Sequence, residues 1–93
     1  MQNFRGKGKI YDKNMTFLSE VIYDIYFKSP NKESGMEWRG EITPADGIMP
    51  MGDHILELKD GRRGPCIIRI NTYSSFGLVV DSFDVEGTGW LAK

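Results

Sequence analysis

Apolar and polar residues alternate with a period of two along much of this chain, the pattern of strands that turn one face to a core. The cleanest run is Met36 to Ile42. Met36, Trp38, Gly40 and Ile42 fall on one face, and Glu37, Arg39 and Glu41 on the other. This predicts an antiparallel strand with one solvated side. Trp38 is expected in the core, and Gly40 on the inner face to make room for an aromatic ring, with Trp38 and Phe27 as possible neighbours. From Phe17 to Phe27 the odd positions Phe17, Ser19, Val21, Tyr23, Ile25 and Phe27 alternate with Glu20 and Asp24. Leu18, Val21, Ile22 and Ile25 also fit a helical stripe, with Asn14 or Thr16 as an N-cap. The β-branched and aromatic content favours a strand, with a bend or break near Ser19 and Glu20 because the run exceeds the usual strand length.

Phe4 to Tyr11 has no helical stripe, and its glycines Gly6 and Gly8 disfavour one; it is read as an irregular or edge strand. Ser29 to Gly35 is a polar loop, and Thr43 to Asp53 a long loop or wide turn with two prolines and two glycines. Ile55 to Lys59 and Cys66 to Ile70 flank Asp60-Gly61. That dipeptide predicts a hairpin with a type I′ turn, in which both central residues take positive φ. Pro65 cannot donate to a ladder, so it belongs at an edge, at a bulge or at the start of a strand. Short strands are further expected at Phe76–Val80 and Phe83–Val85, with a closing segment over Gly87–Leu91. The fold class that follows is all-β: a small antiparallel barrel or compact two-sheet sandwich of six to seven short strands with little helix, forming a single domain over residues 1–93.

Length agrees, since 93 residues suffice for one domain with a modest core. With 40% hydrophobic and 27% charged residues and a mean hydropathy of -0.38, the chain is compositionally globular, and no apolar run approaches the roughly 20 residues of a membrane-spanning helix. The single cysteine, Cys66, cannot close an internal disulfide, and no basic-then-apolar leader is visible after Met1. A cytoplasmic location is the expectation.

The net charge of -1 argues against a wholly basic surface, but the charges are segregated along the chain. Residues 1–13 and 59–71 each carry a net +3, whereas residues 14–58 carry -5. If the basic segments meet, Arg5, Lys7, Lys9, Arg62 and Arg63 form a candidate patch for phosphates, beside Phe4, Tyr11 or Tyr73 as stacking platforms. The competing reading is that such cations keep strand edges from pairing and are simply solvated.

Catalytic signals are weak. His54, the only histidine, lies beside Asp53 and could serve a metal-dependent or hydrolytic enzyme, but zinc sites draw three or four ligands and Cys66 has no thiolate partner at motif spacing. Cys66 precedes an apolar run and is expected to be a buried hydrophobe, although His54 lies across the hairpin from it. No nucleophile elbow or phosphate-binding loop is present, and nothing implies a cofactor. The reading preferred from sequence is therefore a non-catalytic interaction module that engages a protein partner or itself, with single-stranded nucleic acid as the alternative. Trp90, near the end of the chain, either closes the barrel or stands exposed as an interface anchor.

Overall fold

The computed structural model describes residues 3–27, 38–45, 50–70 and 82–92. They form six strands: β1 (Asn3–Tyr11), β2 (Phe17–Phe27), β3 (Trp38–Pro44), β4 (Gly52–Glu57), β5 (Arg63–Ile70) and β6 (Phe83–Gly87). All neighbours are antiparallel and the sheet closes on itself in the order β1-β2-β3-β6-β5-β4. The fold is thus a closed barrel and not a sandwich. Two meanders, β1-β2-β3 and β4-β5-β6, meet along the β3–β6 and β1–β4 seams. The strand expected at Phe76–Val80, the Ser29–Gly35 loop and Tyr73 lie outside the described residues.

Period-two alternation builds the interior. Each strand sends a fully buried side chain to the centre: Ile10, Ile25, Ile42, Leu56, Ile68 and Val85. Burial of one such side chain stabilises the fold by about 2 kcal/mol relative to exposure. Tyr23 is also interior, its ring lying against Gly6 and Gly8 of β1. Its hydroxyl accepts a hydrogen bond from the Lys59 backbone N–H at 3.0 Å. Trp38 is buried as expected, and its Nε1 donates to the Gly89 carbonyl at 2.8 Å.

Several expectations need correction. β1 is an edge over part of its length only: it pairs with β2 throughout and with β4 through Lys9, Ile10 and Tyr11, so that within β1 Asn3–Gly8 alone keep a single neighbouring strand among the described residues. Residues 17–27 are strand throughout, so the helical alternative fails. The irregularity falls at Leu18, where Ile10 pairs with Ser19 and Tyr11 with Phe17; this bulge turns Phe17 outward. The loop expected over 43–53 loses both its ends to strands, since Pro44 ends β3 and Gly52 begins β4; residues 46–49 of it lie outside the described residues. Gly40 does face inward, but its near neighbours are the backbone of Asp24 and Ile25 and not a ring; the indole of Trp38 rests instead on Gly87.

The β4–β5 connection is a hairpin with a different turn. The Gly61 N–H donates to the Leu58 carbonyl at 3.0 Å and the Leu58 N–H to the Arg62 carbonyl at 2.7 Å. Within the turn only Gly61 has positive φ, at 94°. This is a type I turn followed by a left-handed glycine, the usual three-residue loop, and Asp60 does not need the positive φ that a type I′ turn demands. Pro65 sits opposite Ile55. Its carbonyl accepts from the Thr88 N–H at 2.9 Å, so its missing N–H faces the place where β6 has ended at Gly87 and the chain bulges away. Proline is tolerated there because no ladder bond is lost.

Candidate protein-binding surface

The two basic segments meet in space. Arg5, Lys7 and Lys9 alternate along the outer side of β1, and the β4–β5 turn lies beside it, so that Arg5, Lys59 and Arg62 line one cleft of about 500 Å³ and Lys7, Lys9 and Lys59 the next, of about 250 Å³. Three of the five expected cations are nonetheless paired. Arg5 binds Asp24 at 2.8 Å, Arg62 binds Asp60 at 2.9 Å, and Arg63 binds Glu57 at 2.7 Å. Arg62 also lies 5.3 Å from the centre of the Phe4 ring, and Arg63 lies 5.8 Å from that of Tyr11. The region is therefore a mosaic of both signs and not a uniform cationic track.

Glu57 holds one corner of that mosaic. The hydrogen bond from Arg63 pulls its carboxyl below the usual value; partial burial opposes this, while the Tyr11 hydroxyl at 3.1 Å and the charges of Arg63 and Lys9 assist. A carboxyl depressed in the folded state contributes stability that is present above its unfolded value and is lost as pH falls through the folded one. Glu57→Gln is accordingly expected to cost about 1 kcal/mol at pH 7 and to match the wild-type protein once the Glu57 carboxyl is protonated in both the folded and the unfolded state. Urea titrations at neutral and strongly acidic pH check this; an equal deficit at both would assign the loss to packing.

Next to these ion pairs an apolar row crosses the outer wall. Tyr11 on β1 pairs with Ile55 on β4, and Ile55 pairs with Pro65 on β5, all three turned outward. Phe17 packs edge-on against Tyr11, with ring centres 6.1 Å apart, and is 51% exposed. At the other end Gly89 lies on Pro65, and Trp90, the next residue, is 53% exposed. The two readings of the tail separate by residue. Leu91 packs against Gly64, and Arg63 and Ala92 exchange two backbone hydrogen bonds of 2.9 Å, so the segment does continue the barrel wall. Trp90 itself remains about half in solvent.

The row was missed in the sequence because its members lie on four strands and meet only through register. Its available signal was the apolar residue on an otherwise polar face, Ile55 between Asp53 and Glu57.

His54 and Cys66 are cross-strand partners, both turned into the barrel and buried. His54 Nδ1 lies 3.0 Å from the Gly52 carbonyl, and burial pushes the Cys66 thiol up to about 12. A thiol held neutral and enclosed is a poor nucleophile, so the pairing is one of packing. Among the described residues no group of three or more His, Cys, Asp or Glu side chains is placed to hold a metal ion. On the opposite wall, Asp24, Glu41, Asp84 and Glu86 line a groove of about 360 Å³ with Arg39 and Arg69. Among the described residues no helix is long and apolar enough to cross a membrane. No protein-family model, curated protein or solved structure matches this chain.

Proposed function

We propose that this barrel is a non-catalytic binding module that engages a protein partner, or a second copy of itself, through the Phe17–Tyr11–Ile55–Pro65 row and Trp90. The observation that carries the reading is the continuity of that row, which has the exposed Phe17 ring at one end and Arg63 over Tyr11, and whose other end, Pro65, lies under Gly89, the residue before the exposed Trp90. Tyr, Trp and Arg are the residues most enriched at interface hot spots, where a desolvated aromatic anchor contributes more than its neighbours. A mosaic of paired charges beside an apolar strip also suits a protein surface with its own acids and bases better than it suits a polyanion.

Combining Phe17→Ser with Trp90→Ala is expected to weaken association at least about tenfold, since each hot-spot aromatic contributes more than about 1 kcal/mol. The melting temperature should stay near wild type, because both rings are half in solvent already. Sedimentation velocity across a concentration series reads self-association, and the same pair of variants against a cross-linked partner reads hetero-association. Unchanged affinity in both would remove the row as the interface. Single-stranded nucleic acid is the second reading, favoured by the meeting of the basic segments; it requires affinity that falls steeply with salt.

A further inference from the structure

We propose that the outer half of β1, Asn3–Gly8, is a strand-addition site for an extended acidic peptide segment. This goes beyond the apolar row, which uses other residues, and either surface can fail without the other. β1 has nine residues, all but its end irregularity in register with β2, but only Lys9, Ile10 and Tyr11 pair with β4. Where β4 would continue alongside Gly8 to Asn3, the chain turns away. The Leu58 N–H closes the hairpin on Arg62, and the Lys59 N–H goes down to the Tyr23 hydroxyl. Among the described residues no hydrogen bond from the turn reaches the backbone of Asn3–Gly8.

Among the described residues the second meander therefore leaves about 20 Å of strand, at about 3.4 Å per residue, paired on one side only. An unpaired row of N–H and C=O groups is the template for adding a strand. Open space lies along its Asn3–Lys7 part, because the clefts of about 500 Å³ and 250 Å³ flank Lys59 between β1 and the turn, whereas Gly8 lies against the Glu57 carbonyl.

Charge identifies the occupant. Arg5, Lys7 and Lys9 project outward at every second position, and Lys59 and Arg62 face them across the gap; the same clefts hold three acids, Glu20, Glu57 and Asp60, of which Glu57 is engaged by Arg63 and Asp60 by Arg62, so bases are in excess. Lys7 and Lys59 make no ion pair among the described residues. A peptide laid antiparallel to β1, in the direction β4 would have taken, places its own alternate side chains on the same outer face. Carboxylates at every second position then meet the lysines, while the inward positions face Phe4 and Tyr23, which line the larger cleft. Recognition is by backbone hydrogen bonds for affinity and by alternate carboxylates for selectivity, the division of labour expected of strand addition.

The probe is a blocked heptapeptide alternating glutamate and valine, titrated into the full-length ¹⁵N-labelled protein. Saturable shifts centred on Arg5–Lys9 and Lys59–Arg62 are expected, with slowed amide exchange along Asn3–Gly8. Lys7→Glu, at an exposed position that leaves the barrel intact, is expected to weaken binding about fivefold. The same peptide N-methylated at alternate residues should lose nearly all affinity, because it keeps its charges and cannot complete the ladder. Equal binding of the methylated peptide would reduce the site to a charge patch and overturn the proposal. So would absence of shifts up to millimolar peptide, or an oligothymidylate of similar length that binds the same residues more tightly than the peptide.

Discussion

Gly40→Ala is expected to destabilise the protein by about 3 kcal/mol, the upper end of what overpacking costs in a filled interior. In a domain of this size that lowers the melting midpoint by about 15 °C. A β-carbon on Gly40 would run into the Asp24 carbonyl and the Ile25 α-carbon. Those are backbone atoms of the neighbouring strand, held by the Ile25–Gly40 register, and they cannot swing aside as a flexible side chain would. Gly52→Ala supplies the contrast. Gly52 has φ of 104° but no atom within 4 Å of the added carbon, so only left-handed strain remains, about 1–2 kcal/mol. Thermal melts of the two variants decide the matter. If Gly40→Ala melts close to wild type, the β2–β3 strands do not approach as described.

Trp38→Ala is expected to cost about 3–5 kcal/mol, as the loss of a large buried aromatic side chain does. The indole is 1% exposed, rests on Gly87 and donates to the Gly89 carbonyl. It thus ties β3 to the segment that follows β6, and its loss opens a cavity and also leaves a carbonyl without its donor. Trp38→Phe retains most of the volume and loses only the hydrogen bond, for about 1 kcal/mol. Denaturant titrations of both variants separate the two contributions; equal losses would mean that the hydrogen bond, and not the filling of space, is what matters at this position.

The interior was legible in the sequence because alternation is a local property. Trp38 and Ile42 on β3, and Val21, Tyr23 and Ile25 on β2, occupy the inner face that their spacing predicts. Closure was not legible. Whether β1 is an edge depends on its pairing with Ile55–Glu57, some forty-five residues away, and nothing in Phe4–Tyr11 records that partner. Gly40 shows the same limit, since a glycine on an inner face announces a close approach without saying whether a ring or a backbone makes it. The turn at Asp60-Gly61 differed because Gly61 alone satisfies the need for positive φ once Lys59 joins the loop. The basic segments could be named from sequence, but their neutralising partners could not. Glu57 and Arg63 face each other across the hairpin with the three-residue loop just beyond, and Asp24 reaches Arg5 only through β1–β2 register.

The central claim is that the Phe17–Tyr11–Ile55–Pro65 row is where this barrel meets another protein. A photo-reactive benzoylphenylalanine in place of Phe17, with a control in place of the outward-facing Thr43 on β3, tests it most directly in cells that produce the chain. The expected result is one discrete adduct from position 17, either a dimer of this chain or a single partner, that disappears when Trp90→Ala is introduced and is absent from position 43. No adduct from position 17, or the same mixture from both positions, would contradict the claim.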